Sequence, residues 1–453
     1  MRVTSLRSRR ATLSAVFVFA ILSPAAARAE PDAQAPVSPD ESILGTVEVD
    51  GSGGASLPPL PKLAIVPLLS TSNADTLVSV VARRDLELSG QFQVLAPADA
   101  PSGPFTRALP LDLAAFGDKG AEYVLRVFSQ AETGTTQLVG EAYLAPKVAA
   151  LASASEPRAE PRPAYRGVVD VRNGDVRRAA HELVDLVLGA LTGRPGGFAS
   201  QLTYARRVGR WQRAYVVDAD GFNLHASGPE RVTVTSPSFG AQGLLYYSVS
   251  VDYAPFALAA GSAGTPLPVL LPGSLMGIAF SADGARAAFT TMTGGRSSLW
   301  TLDGSSFRRV DAAPLANHPA IGPLGKVAYV GGTPVQRVYV DGKPISPAGL
   351  MASSPVFCDG PDGLVVAFSV AVAGGTDIVA MDTAGGRIRR LTQKRGSSSD
   401  PACSPDGRIL AFFSDTKNAK TSGLYMMPIA RPWLAKKIGD EIGRSLSWSR
   451  AAR

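Results

Sequence analysis

A set of turn glycines recurring about every forty residues limits this chain to very few folds. Segments 237–243, 278–284, 319–325, 356–363 and 402–407 each end on a glycine, and Gly243, Gly284, Gly325, Gly363 and Gly407 fall 41, 41, 38 and 44 residues apart. A short apolar stretch follows each one, at 244–247, 287–289, 327–330, 364–368 and 409–413. Glycine at this point has a mechanical reason, because a tight turn between antiparallel strands needs a positive φ. The apolar stretches are runs rather than alternations, so they predict strands buried on both faces. One four-stranded propeller blade takes about forty residues, and the neighbouring blades cover its faces. Residues 446–449 resemble a sixth copy cut short. The ring then needs an early strand to close it, from 202–208 or 215–217, and closure removes the exposed sheet edges. Residues 218–221 are expected to make the turn into blade one. The repeat therefore predicts a six-bladed β-propeller over 199–453.

The preceding stretch, 61–198, reads as an α/β unit, which makes the whole chain α+β and mostly β. An apolar strand at 63–68 leads to a helix capped by Asn73 or Asp75, with Leu77, Val80, Val81, Arg84 and Leu88 on one side and Gly90 as its stop. A strand begins near Phe92, Val94 and Leu95, a short helix spans 111–116, and strands follow at 123–128 and 137–143. Residues 149–163, rich in Ala, Ser, Pro and Glu, read as a loop. The clearest helix starts at the cap Asp175, carries Val176, Ala180, Leu183, Val184, Val187, Leu188 and Leu191 at three- and four-residue steps, and stops at Gly193 and Pro195.

The first residues read as an export signal, and this changes the charge argument. Arg2, Arg7, Arg9 and Arg10 precede an apolar run at 11–22, which is too short to span a membrane, and Ala27-Arg28-Ala29 supplies a cleavage site between Ala29 and Glu30. Residues 1–29 hold five arginines and no acid, so a formal charge of +7 becomes 7 − 5 = +2 after cleavage. No basic stripe with stacking aromatics accompanies that small charge, so no nucleic-acid partner is expected. Residues 30–60 read as a flexible arm carrying one alternating strand, Thr46-Val47-Glu48-Val49-Asp50. An isolated strand of this kind must pair with its own domain's edge or with a partner's. The two cysteines, Cys358 and Cys403, would lie in an oxidising compartment that permits a disulfide, but the tendency of free cysteine to be buried favours two separate thiols.

These pieces, in order, resemble the TolB family, periplasmic components of the Tol-Pal envelope system. Asp218-Ala219-Asp220-Gly221-Phe222-Asn223 followed by Ser236-Pro237-Ser238-Phe239 is similar to the start of that family's propeller. Ala64-Ile65-Val66-Pro67 followed by residues 80–92 is similar to its first strand and helix, and residues 191–198 to its passage between domains. The likeness covers about residues 43–450. The resemblance implies a monomeric periplasmic adaptor joining the outer-membrane lipoprotein Pal to TolA, in support of outer-membrane integrity and of constriction at division. It places Pal on the propeller mouth, at the loops entering the innermost strands: Ser274, Gly277, Asn317, His318, Ser353, Ser354, Ser399 and Asp400. It places TolA on the arm strand 46–50. This sequence departs from the family in extra residues before Ile43, in an inserted-looking loop at 149–163, and in Gly322-Pro323-Leu324-Gly325, which lacks the turn acid.

The chemistry of an enzyme is not visible in the sequence. It contains no G-x-S-x-G elbow, no H-E-x-x-H and no glycine-rich phosphate loop, so no catalytic residue, metal or cofactor is expected. Of the three histidines, His181, His225 and His318, the first is expected at the surface of its helix or partly buried. Asp218 and Asp220 are the nearest acid pair and read as a turn. The competing reading is a propeller enzyme or a carbohydrate receptor with converging acids in its channel.

Overall fold

The computed structural model describes residues 57–449, except 71, 104, 108–109, 133, 146–160, 269–270, 282, 361–362, 387 and 394. The expected export signal with its cleavage site, the expected arm strand 46–50 and most of the expected loop lie outside the described residues.

The α/β unit is a five-stranded sheet. Its strands are β1 (Lys62–Ile65), β2 (Gln93–Val94), β3 (Tyr123–Glu132), β4 (Thr135–Leu144) and β5 (Tyr165–Asp170), in the order β2-β1-β3-β4-β5. Pairing of β1 with β2 and β3 is parallel, and the β3-β4-β5 meander is antiparallel. Helices α1 (Asn73–Ser89) and α3 (Val176–Thr192) pack on each other and on β3, β4 and β5, and α2 (Leu113–Asp118) adds Phe116 to a smaller cluster with Ala64, Val66, Val124 and Tyr143. The expected stops hold: Gly90 and Gly193 both end their helices in the left-handed conformation, and Asp175 caps α3 through its carboxylate. The start of α1 differs. Ser72 stands at the N-cap, and Asp75 points inward, where it accepts from the Ser129 N–H and hydroxyl and pairs with Arg107. Val80 faces solvent, because the buried stripe runs through Val78, Val81, Ala82, Asp85 and Leu86.

The propeller has six blades. Blades one to five are consecutive antiparallel sheets whose innermost strands are Thr233–Phe239, Ser274–Phe280, Asn317–Ile321, Ala352–Gly360 and Ser397–Cys403. Every turn glycine of the repeat has a positive φ, from 69° to 124°. Blade six is built from both ends of the propeller segment: Arg444–Trp448 is innermost, followed by Gln201–Val208, Trp211–Asp218 and His225–Ser227. Both early candidates thus close the ring. The turn at 218–221 lies inside blade six rather than leading into blade one, because His225–Ser227 folds back on Trp211–Asp218 before the chain moves on.

One apolar cluster joins the two parts. It runs from Leu63, Val81, Leu86, Leu183 and Val187 to Leu202, Tyr204, Ile409, Phe413 and Leu446 of blades five and six. The passage between them is pinned by Asp185, whose carboxylate accepts from the Phe198 and Ala199 N–H groups, both at 2.9 Å. A Cβ on Gly196 would lie 2.3 Å from that carboxylate, so only glycine fits there.

Cys358 and Cys403 are bonded, contrary to the expectation of separate thiols. They lie on the innermost strands of blades four and five, with Cα atoms 5.7 Å apart. That proximity arises from ring packing across 45 residues and leaves no local mark in the sequence. Closing a loop of that length stabilises by about 4 kcal/mol on the chain-entropy model. Cys358→Ser/Cys403→Ser should therefore melt several degrees below the parent, and a reductant should lower the parent's melting temperature but leave the variant's unchanged. Equal melting of both proteins would show that the bridge adds nothing.

Candidate functional site

At one end of the propeller every innermost strand is bulged. The pairing register with the next strand shifts in each blade, at Tyr246/Ser248, Leu275/Gly277, Asn317/Ala320, Ser353/Val356, Ser399/Ala402 and Arg444/Ser447. In five blades the bulge holds a non-glycine residue at positive φ: Ser236 (48°), His318 (47°), Ser354 (50°), Asp400 (52°) and Ser445 (55°). Four of these precede a proline, which further restricts the backbone. Left-handed serine, histidine and aspartate each cost free energy, and such outliers concentrate where function requires a fixed geometry.

The bulges aim their side chains around a 470 Å³ cavity at the channel. The Ser354 hydroxyl lies 3.2 Å from His318 Nδ1 and 3.4 Å from Asp400 Oδ1, and the same Oδ1 accepts from the Ser445 N–H at 2.8 Å. Across the ring, Ser236 donates to the Met276 carbonyl. Crowding by protein pushes His318 below its ordinary pKa, against the pull of Asp400. Around this polar ring, Met276 is exposed at the bulge of blade two, and Leu315, Met351 and Ile442 are exposed on the loops leading into three other innermost strands.

Of the eight mouth residues expected from sequence, Gly277, Asn317, His318, Ser354 and Asp400 line the cavity. Ser274, Ser353 and Ser399 do not. Side chains alternate along a strand, and Ser353 and Ser399 each stand next to the bulge residue on the other face, whereas Ser274 lies two residues before the blade-two bulge. Ser274 instead accepts from the Phe256 N–H, and Ser353 and Ser399 sit opposite Ser369 and Phe413. Sequence reasoning missed Ser236, Met276 and Ser445. A signal existed for Ser236: it precedes its turn glycine by seven residues, as His318 and Asp400 do.

The opposite end meets the α/β unit. Asp220, fully buried, is paired with Arg177, and its carbonyl accepts from Arg84 Nε and Nη2 at 2.8 and 2.6 Å. Phe222 lies against both guanidiniums. The Asp218–Asp220 turn is thus also an ionic anchor. His181 is not at the surface: it is 3% exposed, with Nδ1 2.6 Å from Asp85. The apolar stripe on its helix carries it inward, because the propeller covers that face. Ligand atoms of Asp85, His181 and Asp220 lie within 4.8 Å of one another. The arrangement balances as an ion cluster, with Asp85, Asp218 and Asp220 against Arg84, Arg177 and protonated His181, and the Arg177 guanidinium occupies the Asp220 side.

Residues 46–145 match the model of the TolB amino-terminal domain. The crystal structure of TolB from Acinetobacter baumannii superposes with a TM-score of 0.65 over 86% of this chain and 97% of that one, at 19% identity, and so shares the fold. A Tol-Pal system protein TolB from Anaeromyxobacter dehalogenans is 29% identical over 248 residues, 53% of this chain and 54% of the relative. Over about half of its length, then, the chain is similar to TolB proteins. A TolB from Novosphingobium aromaticivorans is 27% identical over 250 residues, 52% of each chain. The chain therefore spans about half the length of the curated relatives it matches.

Burial lowers the His181 pKa, but the carboxylates of Asp85 and Asp220 outweigh it and raise it from 6.5 to about 9. Burial raises Asp85 to about 6 despite its histidine partner. A histidine raised in the folded state stabilises fully below its unfolded pKa, and that stability fades as the pH climbs through the folded value. His181→Gln should thus cost on the order of 3 kcal/mol near pH 6. The difference from the parent in urea unfolding should close by about pH 10, beyond the raised value. A constant difference from pH 6 to pH 10 would contradict a cationic His181.

Proposed function

We propose that this TolB-like chain is a periplasmic adaptor of the Tol-Pal system, exported by its N-terminal signal and acting by binding rather than catalysis. In this reading, residues 199–453 form the domain that takes the lipoprotein Pal at the bulged mouth. Residues 61–198 form the second domain, and the arm strand at 46–50 adds to TolA. Joining the two partners would support outer-membrane integrity during constriction.

The observation that carries the reading is the mouth itself. A polar ring, held in a strained but fixed backbone and rimmed by exposed apolar residues, has the composition of a protein-binding face. A rigid ring gives a partner preorganised contacts and spares it the entropy of ordering loops. Asp400 is central, since it joins Ser354 of one blade to Ser445 of another. Ser354 does lie beside His318, but Asp400 accepts from Ser354 and from the Ser445 N–H, not from the imidazole as an orienting acid of an acyl-transfer relay would.

Calorimetry should detect binding of soluble, lipid-free Pal to the mature chain from Glu30. Asp400→Lys and Ser354→Arg should each weaken it at least about tenfold, which is about 1.4 kcal/mol, in proteins whose circular dichroism shows them still folded. Deleting residues 43–56 should abolish TolA binding and leave Pal binding intact. A folded protein that binds no Pal would favour the receptor reading and turn attention to a ligand in the 470 Å³ cavity.

A further inference from the structure

The outer rim of the propeller is not uniform. The outermost strand has two residues in blades one, three and four, three in blade six and four in blade five, whereas blade two ends on a five-residue strand, Ser306–Val310. Four of its residues, Ser306, Phe307, Arg308 and Arg309, are exposed. It pairs on one side with Arg296–Asp303, and among the described residues nothing pairs with the other side. Its remaining N–H and C=O groups therefore face solvent, which makes it a template for an added strand.

The two faces of this strand differ. Ser306, Arg308 and Val310 line a 620 Å³ cleft between blades two and three, together with Tyr329, Val327 and Leu324. Leu324 is 96% exposed and held at a φ of 59° on the cleft's border. The charges here offset each other: Arg286 lies 3.6 Å from Asp303, Lys326 lies 3.5 Å from Asp341, and Arg308 and Asp311 line the same wall. The cleft thus suits uncharged side chains. On the opposite face, Phe307 lies against Phe289, and Arg309 stands across from Trp300 with no acidic partner among the described residues. Arg296, exposed and an even number of residues from Trp300, shares that face.

We propose that strand Ser306–Val310 takes an added strand from a partner protein, an extended segment alternating apolar and acidic residues, with its apolar side chains in the cleft and its acidic ones against Arg309. Backbone pairing supplies affinity in such an arrangement, and alternate side chains supply selectivity. Opposite charges across a strand pair favour it, and like charges oppose it. A second copy of the same edge would set arginine against arginine, so self-pairing is disfavoured. This site lies on the outer wall, away from the mouth, and its test does not depend on Pal binding.

The probe is a capped eight-residue peptide alternating valine and glutamate, labelled for fluorescence anisotropy and titrated with the mature chain. Saturable binding is expected, together with slowed amide exchange at 306–310. Arg309→Glu, a substitution at an exposed side chain, should weaken binding at least about tenfold. The matching valine–lysine peptide should bind the parent poorly and the Arg309→Glu protein better. No binding up to millimolar peptide, equal binding by Arg309→Glu, or protection confined to residues outside 306–310 would each overturn the proposal.

Discussion

The fold depends on the pairing of Arg444–Trp448 with Gln201–Val208, strands almost the full propeller apart in sequence. The contact is reinforced at its base, where Trp448 Nε1 donates to the Ser200 hydroxyl at 2.7 Å and Ser449 bonds reciprocally with Gln201. Five blades stacked without this pairing would leave two open sheet edges and a channel with no sixth wall. The closing strand also brings Ser445 to the mouth, where its N–H completes the bonding of Asp400. Ring closure and assembly of the mouth are thus one event, although the residues that make the mouth come from separate blades.

Closure also fixes where the α/β unit sits. The faces of blades five and six that carry Leu202, Ile409, Phe413 and Leu446 continue into the core between α1 and α3. Burying ionic groups at such a joint is expensive unless they pair. The joint therefore carries matched groups: Asp220 with Arg177 and Arg84, and Asp85 with His181. Arg408 adds a third tie, donating to the Thr192 hydroxyl and to the carbonyls of Arg194 and Pro195. Shape and charge together orient the unit on the end of the ring opposite the mouth.

What the sequence made legible is local. The turn glycines stood out because positive φ excludes most other residues, and the helix ends at Gly90 and Gly193 stood out for the same reason. The apolar step of α3 revealed its buried face but not what covers it, so His181 read as a surface residue when its partner is a carboxylate 96 positions away. Strand β5 was missed because Tyr165–Asp170 mixes glycine and charge at a sheet edge, where one face needs little apolar content. The disulfide, Met276 and Ser445 were not legible because only ring geometry makes them neighbours of the rest, whereas Ser236 was legible in its seven-residue spacing to the turn glycine.

The strain at the mouth identifies it as a binding end better than its composition does. Serine, histidine and aspartate are common in ordinary turns, so their presence at the loop ends carries little information. A left-handed bulge in an otherwise regular inner strand is different, since the strand would pair more fully without it. Five such bulges at equivalent points, four of them before proline, mean that the regular alternative is disfavoured in blade after blade. The bulge turns one polar side chain per blade out of the inter-blade packing and into the channel. The turn end of the same strands, covered in blades five and six by the α/β unit, keeps the tight Gly turns and buries its ions in pairs. The free energy that the chain gives up at these five bulges therefore goes into holding side chains toward a space that the protein itself does not fill.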